Sequence, residues 1–315
     1  MSKALEKAEE LLFEQYADHA TCAHTPLVFI LASPRTGSTL IYQLLINLFD
    51  FFYFSNFVAD NYGEFPAVGA ALDWLANPHK AVGYESDYGK TRGDFGPSEA
   101  SSIFRNWFGG SHPSQIRSSK VLSEKKEHML LSLNAIFNLT NKPILTKNAW
   151  NCFRIEELSR MFPNLLFIWV RRDIARSAIS DLEARYRSGG AHVWNSATTS
   201  SYREIQKLPY WEQVVEQQYE YNKSMARDLY MFCSERYIEI WYEDVCVNAE
   251  REVQRVEDFF SSCGVPVRRV DPGAPNLNRS KKKQGIDSDA EKILRYIGHN
   301  RDRLADYIYV PELQT

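Results

Sequence analysis

The sequence predicts an α/β fold, a parallel β-sheet flanked by helices. Three observations carry this. Short apolar runs at 26–32 and 164–170 read as strands buried on both faces. Each run is followed by a stretch with apolar residues at helical spacing. The chain has 315 residues, enough to enclose a full core, and its 44% hydrophobic and 24% charged content excludes wholesale disorder.

Residues 1–16 form a charged amphipathic helix, with Leu5, Ala8, Leu11 and Leu12 on one side, inside an N-terminal segment 1–25. This start lacks the apolar run and small-residue cleavage site of a leader. After the first strand comes a loop at 33–37, then a helix over 38–48 carrying Leu40, Ile41, Leu44, Leu45 and Leu48. Residues 61–120 are rich in Gly, Pro, Ser and aromatics. They read as a long functional connection supplying acceptor-side walls, with one helix at 98–107. From residue 143 the alternation returns: strand 144–146, helix 154–161, strand 164–170, helix 174–187, helix 211–233, strand 237–241 and helix 249–260. A basic polar loop at 276–286 contains Lys281, Lys282 and Lys283. No internal repeat is visible, and 1–315 reads as one domain.

The charge balance, 37 basic against 40 acidic residues for a net −3, gives no global field for gripping nucleic acid. No uninterrupted run of about 20 apolar residues is present, so no membrane span is expected. The five cysteines are scattered and never form a Cys-x-x-Cys pair, which fits free thiols in a reducing cytoplasm and offers no metal site.

The strand–loop–helix at 27–48 is the first informative element. It brings backbone N–H groups and the positive end of a helix dipole to one point, which suits an anion. Gly37 permits close backbone approach, Ser38 and Thr39 add hydroxyls, and Arg35 adds a fixed positive charge. A nucleoside-triphosphate loop would need glycine at Ala32 and lysine at Ser38. A helix start capped by Ser38, with no ligand, would give the same pattern. The second element follows the 164–170 strand. Arg172 stands at the strand end and Ser180 eight residues later on the next helix, where both can converge on one phosphate. The competing reading is a helix capped by Asp173 with arginines facing solvent.

Together these segments resemble sulfotransferases that use 3′-phosphoadenosine 5′-phosphosulfate. Pro34-Arg35-Thr36-Gly37-Ser38-Thr39-Leu40 is similar to their 5′-phosphosulfate loop. Phe167 through Asp173, with Ser180 and Asp181, is similar to their 3′-phosphate segment, and Ile240 through Asp244 to their late strand. The resemblance spans residues 26–260 and implies a P-loop-like sulfotransferase fold of the soluble, bacterial type.

It also implies roles. Arg35, Thr36, Gly37, Ser38 and Thr39 would cradle the 5′-phosphosulfate, while Arg172 and Ser180 would clamp the 3′-phosphate. Lys147, at a strand end, would stabilise the transferring sulfonate or the acceptor oxygen. Arg279 and Lys281 resemble a loop that closes over the nucleotide; a solvated charge run reads equally well there. The reaction would need no metal and would leave adenosine 3′,5′-bisphosphate. The acceptor would be a hydroxyl of a small molecule, lipid or carbohydrate.

A general base is required for the acceptor proton. Glu99 is favoured, at the start of the 98–107 helix, ahead of His112; Glu64, Glu85, Asp87 and Asp94 are further candidates. Tyr84, Tyr88, Phe95, Phe104, Trp107 and Phe108 are candidates for an acceptor cleft, although the last three sit at helical spacing suited to a core. Two alternatives stay open: a P-loop small-molecule kinase, and a nucleotide-binding protein without catalysis.

Overall fold

The computed structural model describes residues 2–76, 82–84, 86–87, 90–110, 119–271, 273, 275 and 287–311. Helix α1 (Ser2–Tyr16) precedes strand β1 (Leu27–Ala32) and helix α2 (Ser38–Leu48). Next come α3 (Asn56–Asn61), α4 (Pro66–Ala76), a hairpin of β2 (Ser86–Asp87) and β3 (Lys90–Thr91), α5 (Ser101–Phe108) and α6 (Lys126–Thr140). Strand β4 (Ile144–Lys147), α7 (Ile155–Met161), β5 (Leu166–Arg171), α8 (Ile174–Arg187), α9 (Tyr202–Ile205) and α10 (Tyr210–Cys233) follow. Last are β6 (Tyr237–Trp241), α11 (Tyr242–Val247), α12 (Ala249–Ser262), α13 (Asp287–His299) and α14 (Arg301–Leu304).

The main sheet runs β4-β1-β5-β6 with every pair parallel. Phe29 of β1 registers with Thr146 on one side and Phe167 on the other. All of β1 is buried, which requires cover on both faces. The pleat sorts its side chains by parity. Leu27, Phe29 and Leu31 join Phe167 and Trp169 in a core closed by Leu133 of α6, Leu158 of α7 and Leu229 of α10. Val28, Ile30 and Ala32 join Ile168 and Val170 beneath Leu44 of α2 and Val253 of α12. Burying one such side chain, Phe29, stabilises the fold by roughly 1.5–3 kcal/mol. A third cluster ties α8, α10 and α13 through Leu182, Val214 and Ile293.

A buried carboxylate docks α1. Glu9 accepts hydrogen bonds from the backbone N–H groups of Ala67 and Val68 at 3.0 and 2.8 Å, in the first turn of α4. Its Oε1 lies 3.7 Å from Nε2 of His128, whose Nδ1 accepts from Trp107 Nε1 at 3.0 Å.

Helices 38–48 and 174–187 and strand 237–241 fall where the sequence places them. Three readings need correction. The helix expected at 98–107 begins at Ser101, because Ala100 takes a left-handed φ of 51° and its N–H donates to Ser98 Oγ at 3.1 Å, which prolongs the turn. The strand expected from 164 begins at Leu166, after a turn at Pro163 and Asn164. Within 61–120 the sequence places one helix, whereas the described residues hold a second, α4. Gly69 in α4 is no breaker: a Cβ there would stand 2.6 Å from Cβ of Tyr62, so the glycine serves close packing against α3 and its C-cap residue. All five cysteines are free thiols, and no helix among the described residues is long and apolar enough to cross a membrane.

Candidate active site

In a parallel sheet every strand ends at the same edge. After β1 the chain forms β4 on one side of it and then β5 on the other, so the strand order reverses at β1 and a crevice opens at that edge. A cavity of about 1500 Å³ lies there, lined by residues from the ends of β1, β4 and β5, from the start of α11, and from α8 and α13.

The loop after β1 is held from behind. Cys152 Sγ accepts from Ala32 N and donates to Ala32 O, both at 3.3 Å; burial pushes this thiol up to about 12, so it remains a donor. Gln218 of α10 donates to Pro34 O at 2.9 Å, and Asn222 donates to Ser33 Oγ at 3.4 Å. Thr36 is buried and donates to Ser33 O at 3.0 Å, so its side chain braces the loop and does not line the cavity. Arg35 and Gly37 both have positive φ, 67° and 85°. Gly37, not Ser38, is the N-cap of α2, and it has no side chain to satisfy the first-turn N–H groups. Those donors remain available to an anion beside the Ser38 and Thr39 side chains, which line the cavity.

The second motif meets the first across 137 residues of chain. Arg172 donates to Arg35 O at 2.7 Å, and Arg35 Nε donates to Ser180 Oγ at 3.4 Å. Arg172 therefore points inward, contrary to the solvent-facing reading, while Asp173 does cap α8 by accepting from Arg176 N at 3.1 Å. Arg172 Nε is buried with no hydrogen-bond partner among the described residues. Its guanidinium lies 4.8 Å from the centre of the Tyr242 ring, and the same ring covers Gly37. Arg171 does not line the cavity; it pairs with Glu239 and stacks on Trp241.

At the end of β4, Lys147 is buried, pairs with Glu99 and donates to Thr39 Oγ1 at 3.2 Å. Asn148 holds the Glu99 carbonyl at 2.8 Å. Thr39, Lys147 and Glu99 thus form one connected group on the cavity wall, although Glu99 sits in the turn before α5 and not within the helix.

Asp94 lines the cavity; Glu64 does not. Among the expected aromatics, Phe104, Trp107 and Phe108 are core residues, and Tyr84 and Phe95 are absent from the cavity lining. Glu85, Tyr88, His112, Arg279 and Lys281, with the rest of the 276–286 loop, lie outside the described residues, as does the side chain of Asp87. Sequence reasoning missed Tyr242, Asn148, Gln218 and Asn222 as site components. The signal available was polar: Gln218 and Asn222 sit four apart on the buried face of α10, where buried amides need partners.

No curated protein matches the chain in sequence. Among solved structures, sulfotransferase STF9 from Mycobacterium avium superposes with a TM-score of 0.50 at 14% identity, over 91% of this chain and 72% of that one. Sulfotransferase STF1 from Mycobacterium tuberculosis H37Rv gives 0.47 at 14% identity, over 95% and 81%. A sulfotransferase from Alicyclobacillus acidocaldarius gives 0.43 at 15% identity, over 91% and 97%. The first of these similarities is one of fold. The sequence profile described as "Sulfotransferase family" matches residues 26–267, most of the chain and the whole of the strand-end crevice except α13, and the chain belongs to that family.

Proposed function

We propose that the protein moves a sulfonyl group from 3′-phosphoadenosine 5′-phosphosulfate to a hydroxyl-bearing acceptor. The observation that carries this is the junction of Arg35, Arg172 and Ser180 in one cavity. Two anion-binding elements linked this directly suit a donor with phosphates at two ends. Two features favour an anionic ligand: the buried Nε of Arg172, which has no partner among the described residues, and the first turn of α2, whose N-cap Gly37 is pressed under Tyr242. A cavity of about 1500 Å³ exceeds the roughly 300–1,000 Å³ of a single-ligand pocket, which suits two substrates. We read the whole chain as one catalytic domain, and its free thiols support a cytoplasmic setting.

The donor supplies an activated sulfur–oxygen bond to a phosphate leaving group. Arg172 and Ser180 hold the 3′-phosphate, a group ATP lacks. The α2 N–H groups, Ser38 and Thr39 hold the 5′ end, and Arg35 and Lys147 neutralise charge that develops on the leaving phosphate. Glu99 accepts the acceptor's hydroxyl proton as the new sulfur–oxygen bond forms. Lys147 keeps that carboxylate beside Thr39, within the same pocket wall.

Calorimetric titration with adenosine 3′,5′-bisphosphate tests the reading. Binding in the wild type and a loss of tenfold or more in Arg172→Ala are expected, since hydrogen bonds to charged groups contribute about 1.5–3 kcal/mol. No binding at millimolar nucleotide would end it.

A further inference from the structure

The cavity wall on the Glu99 side comes from α3, β3, the turn at 93–99 and α5. It is polar. Asn56, Asp60, Asp94, Ser98, Ser101 and Arg105 line it, and the apolar side chains there among the described residues are Ala59, Pro97, Ala149 and Trp150. The aromatic residues of α5 are committed to the core.

The hydrogen-bonding capacity of this wall has a sign. Ser98 Oγ already accepts from Ala100 N at 3.1 Å, and Ser102 Oγ donates to Ala59 O. Asn56 Nδ2 is turned to Gly93 O at 2.8 Å. Asp60 and Asp94 differ: both are exposed, and neither carboxylate has a partner among the described residues. Asp60 and Asp94 thus leave two carboxylates open on this wall, which accept and do not donate. A flat apolar alcohol would strip water from both and return nothing. A molecule with several neighbouring O–H groups would satisfy both.

We infer that the acceptor is a polyhydroxylated molecule, a sugar or glycoside, whose hydroxyls donate to Asp60 and Asp94 while another is presented to Glu99. This rests on the sulfonyl-transfer reading above and adds the acceptor class to it. Sites built to pair with substrate hydroxyls reject analogues that lack them far more strongly than apolar pockets discriminate by size.

The test has two stages. Binding of adenosine 3′,5′-bisphosphate is measured first; its absence overturns the donor reading and this inference together. With binding established, donor carrying radiolabelled sulfate is offered with a panel of methyl glycosides and, in matched reactions, with a sterol and a long-chain primary alcohol. The best glycoside should exceed the best apolar alcohol at least tenfold in kcat/KM. Asp60→Asn and Asp94→Asn should each raise the glycoside KM about tenfold, leave kcat, melting temperature and bisphosphate affinity unchanged, and not lower turnover of the apolar alcohols. Preferential labelling of the sterol or fatty alcohol, labelling of no acceptor, or variants with wild-type glycoside KM would each overturn the acceptor class while leaving donor binding intact.

Discussion

Gly37→Ala probes the contact on which both anion-binding elements depend. At φ 85° an alanine carries left-handed strain of roughly 1 kcal/mol. Its Cβ would stand 2.3 Å from Cδ2 of Tyr242, and relieving such overlap costs about 1–3 kcal/mol more. The sum is about 2–4 kcal/mol. For 315 residues, unfolding entropy near 2.1 cal/mol/K per residue gives about 0.66 kcal/mol/K, so Tm should fall by roughly 3–6 °C. Calorimetric melting of the four proteins in a cycle with Tyr242→Ala separates the two contributions. With the ring gone, Gly37→Ala should retain only the backbone part, leaving a coupling of about 1–3 kcal/mol. An equal cost in both backgrounds would refute the assigned contact. Bisphosphate affinity should fall in Gly37→Ala, since moving the ring also moves the support beneath Arg172.

Glu99→Gln should lower kcat by about 10²–10⁴ at unchanged bisphosphate affinity, read from single-turnover transfer and calorimetry; wild-type kcat would remove Glu99 as the base. Arg35→Ala should depress kcat far more than donor affinity, because its charge is needed most when the leaving phosphate develops; equal losses would contradict that role. Away from the cavity, burial pushes the Glu9 carboxyl up to about 7 from 4.5 and the His128 imidazole down to about 4 from 6.5. Glu9 contributes its full stability below 4.5 and loses it as pH rises through about 7; His128 contributes fully above 6.5 and loses it as pH falls through about 4. The opposed slopes offset each other between 4.5 and 6.5, so wild-type Tm should be nearly flat there. Glu9→Gln should lose a few degrees on acidification across that window, and His128→Gln should lose them on alkalinisation; a flat melting profile in both variants would exclude the pair as the source.

Strand β1 and helices α2 and α8 are legible in the sequence because their apolar spacing is undisturbed from cap to cap. Arg35, Lys147 and Arg172 are legible as neighbours for a related reason: they stand at or just past strand ends, and parallel strands share one edge, whereas Ser180 reaches them from the second turn of α8. Helix α4 is hidden by Pro66 and Gly69, which read as punctuation although one starts the helix and the other lets α3 and its C-cap approach closely. The turn at Glu99 depends on Ala100 adopting a conformation that its side chain gives no hint of. Tyr242 escapes notice because its ring matters only once β6 lies beside β5, a neighbour relation that no local pattern encodes.

The route of the chain divides labour. Between α2 and β4 it makes one long excursion, and that excursion supplies the Asp60, Asp94 and Glu99 wall; Ser38 and Thr39 come before it, and Arg172, Ser180 and Tyr242 from segments threaded after it. On the roles proposed above, acceptor choice and nucleotide grip therefore occupy separate stretches of the polypeptide. A chimera that exchanges the excursion while keeping the strand termini should inherit its donor from one parent and its acceptor from the other.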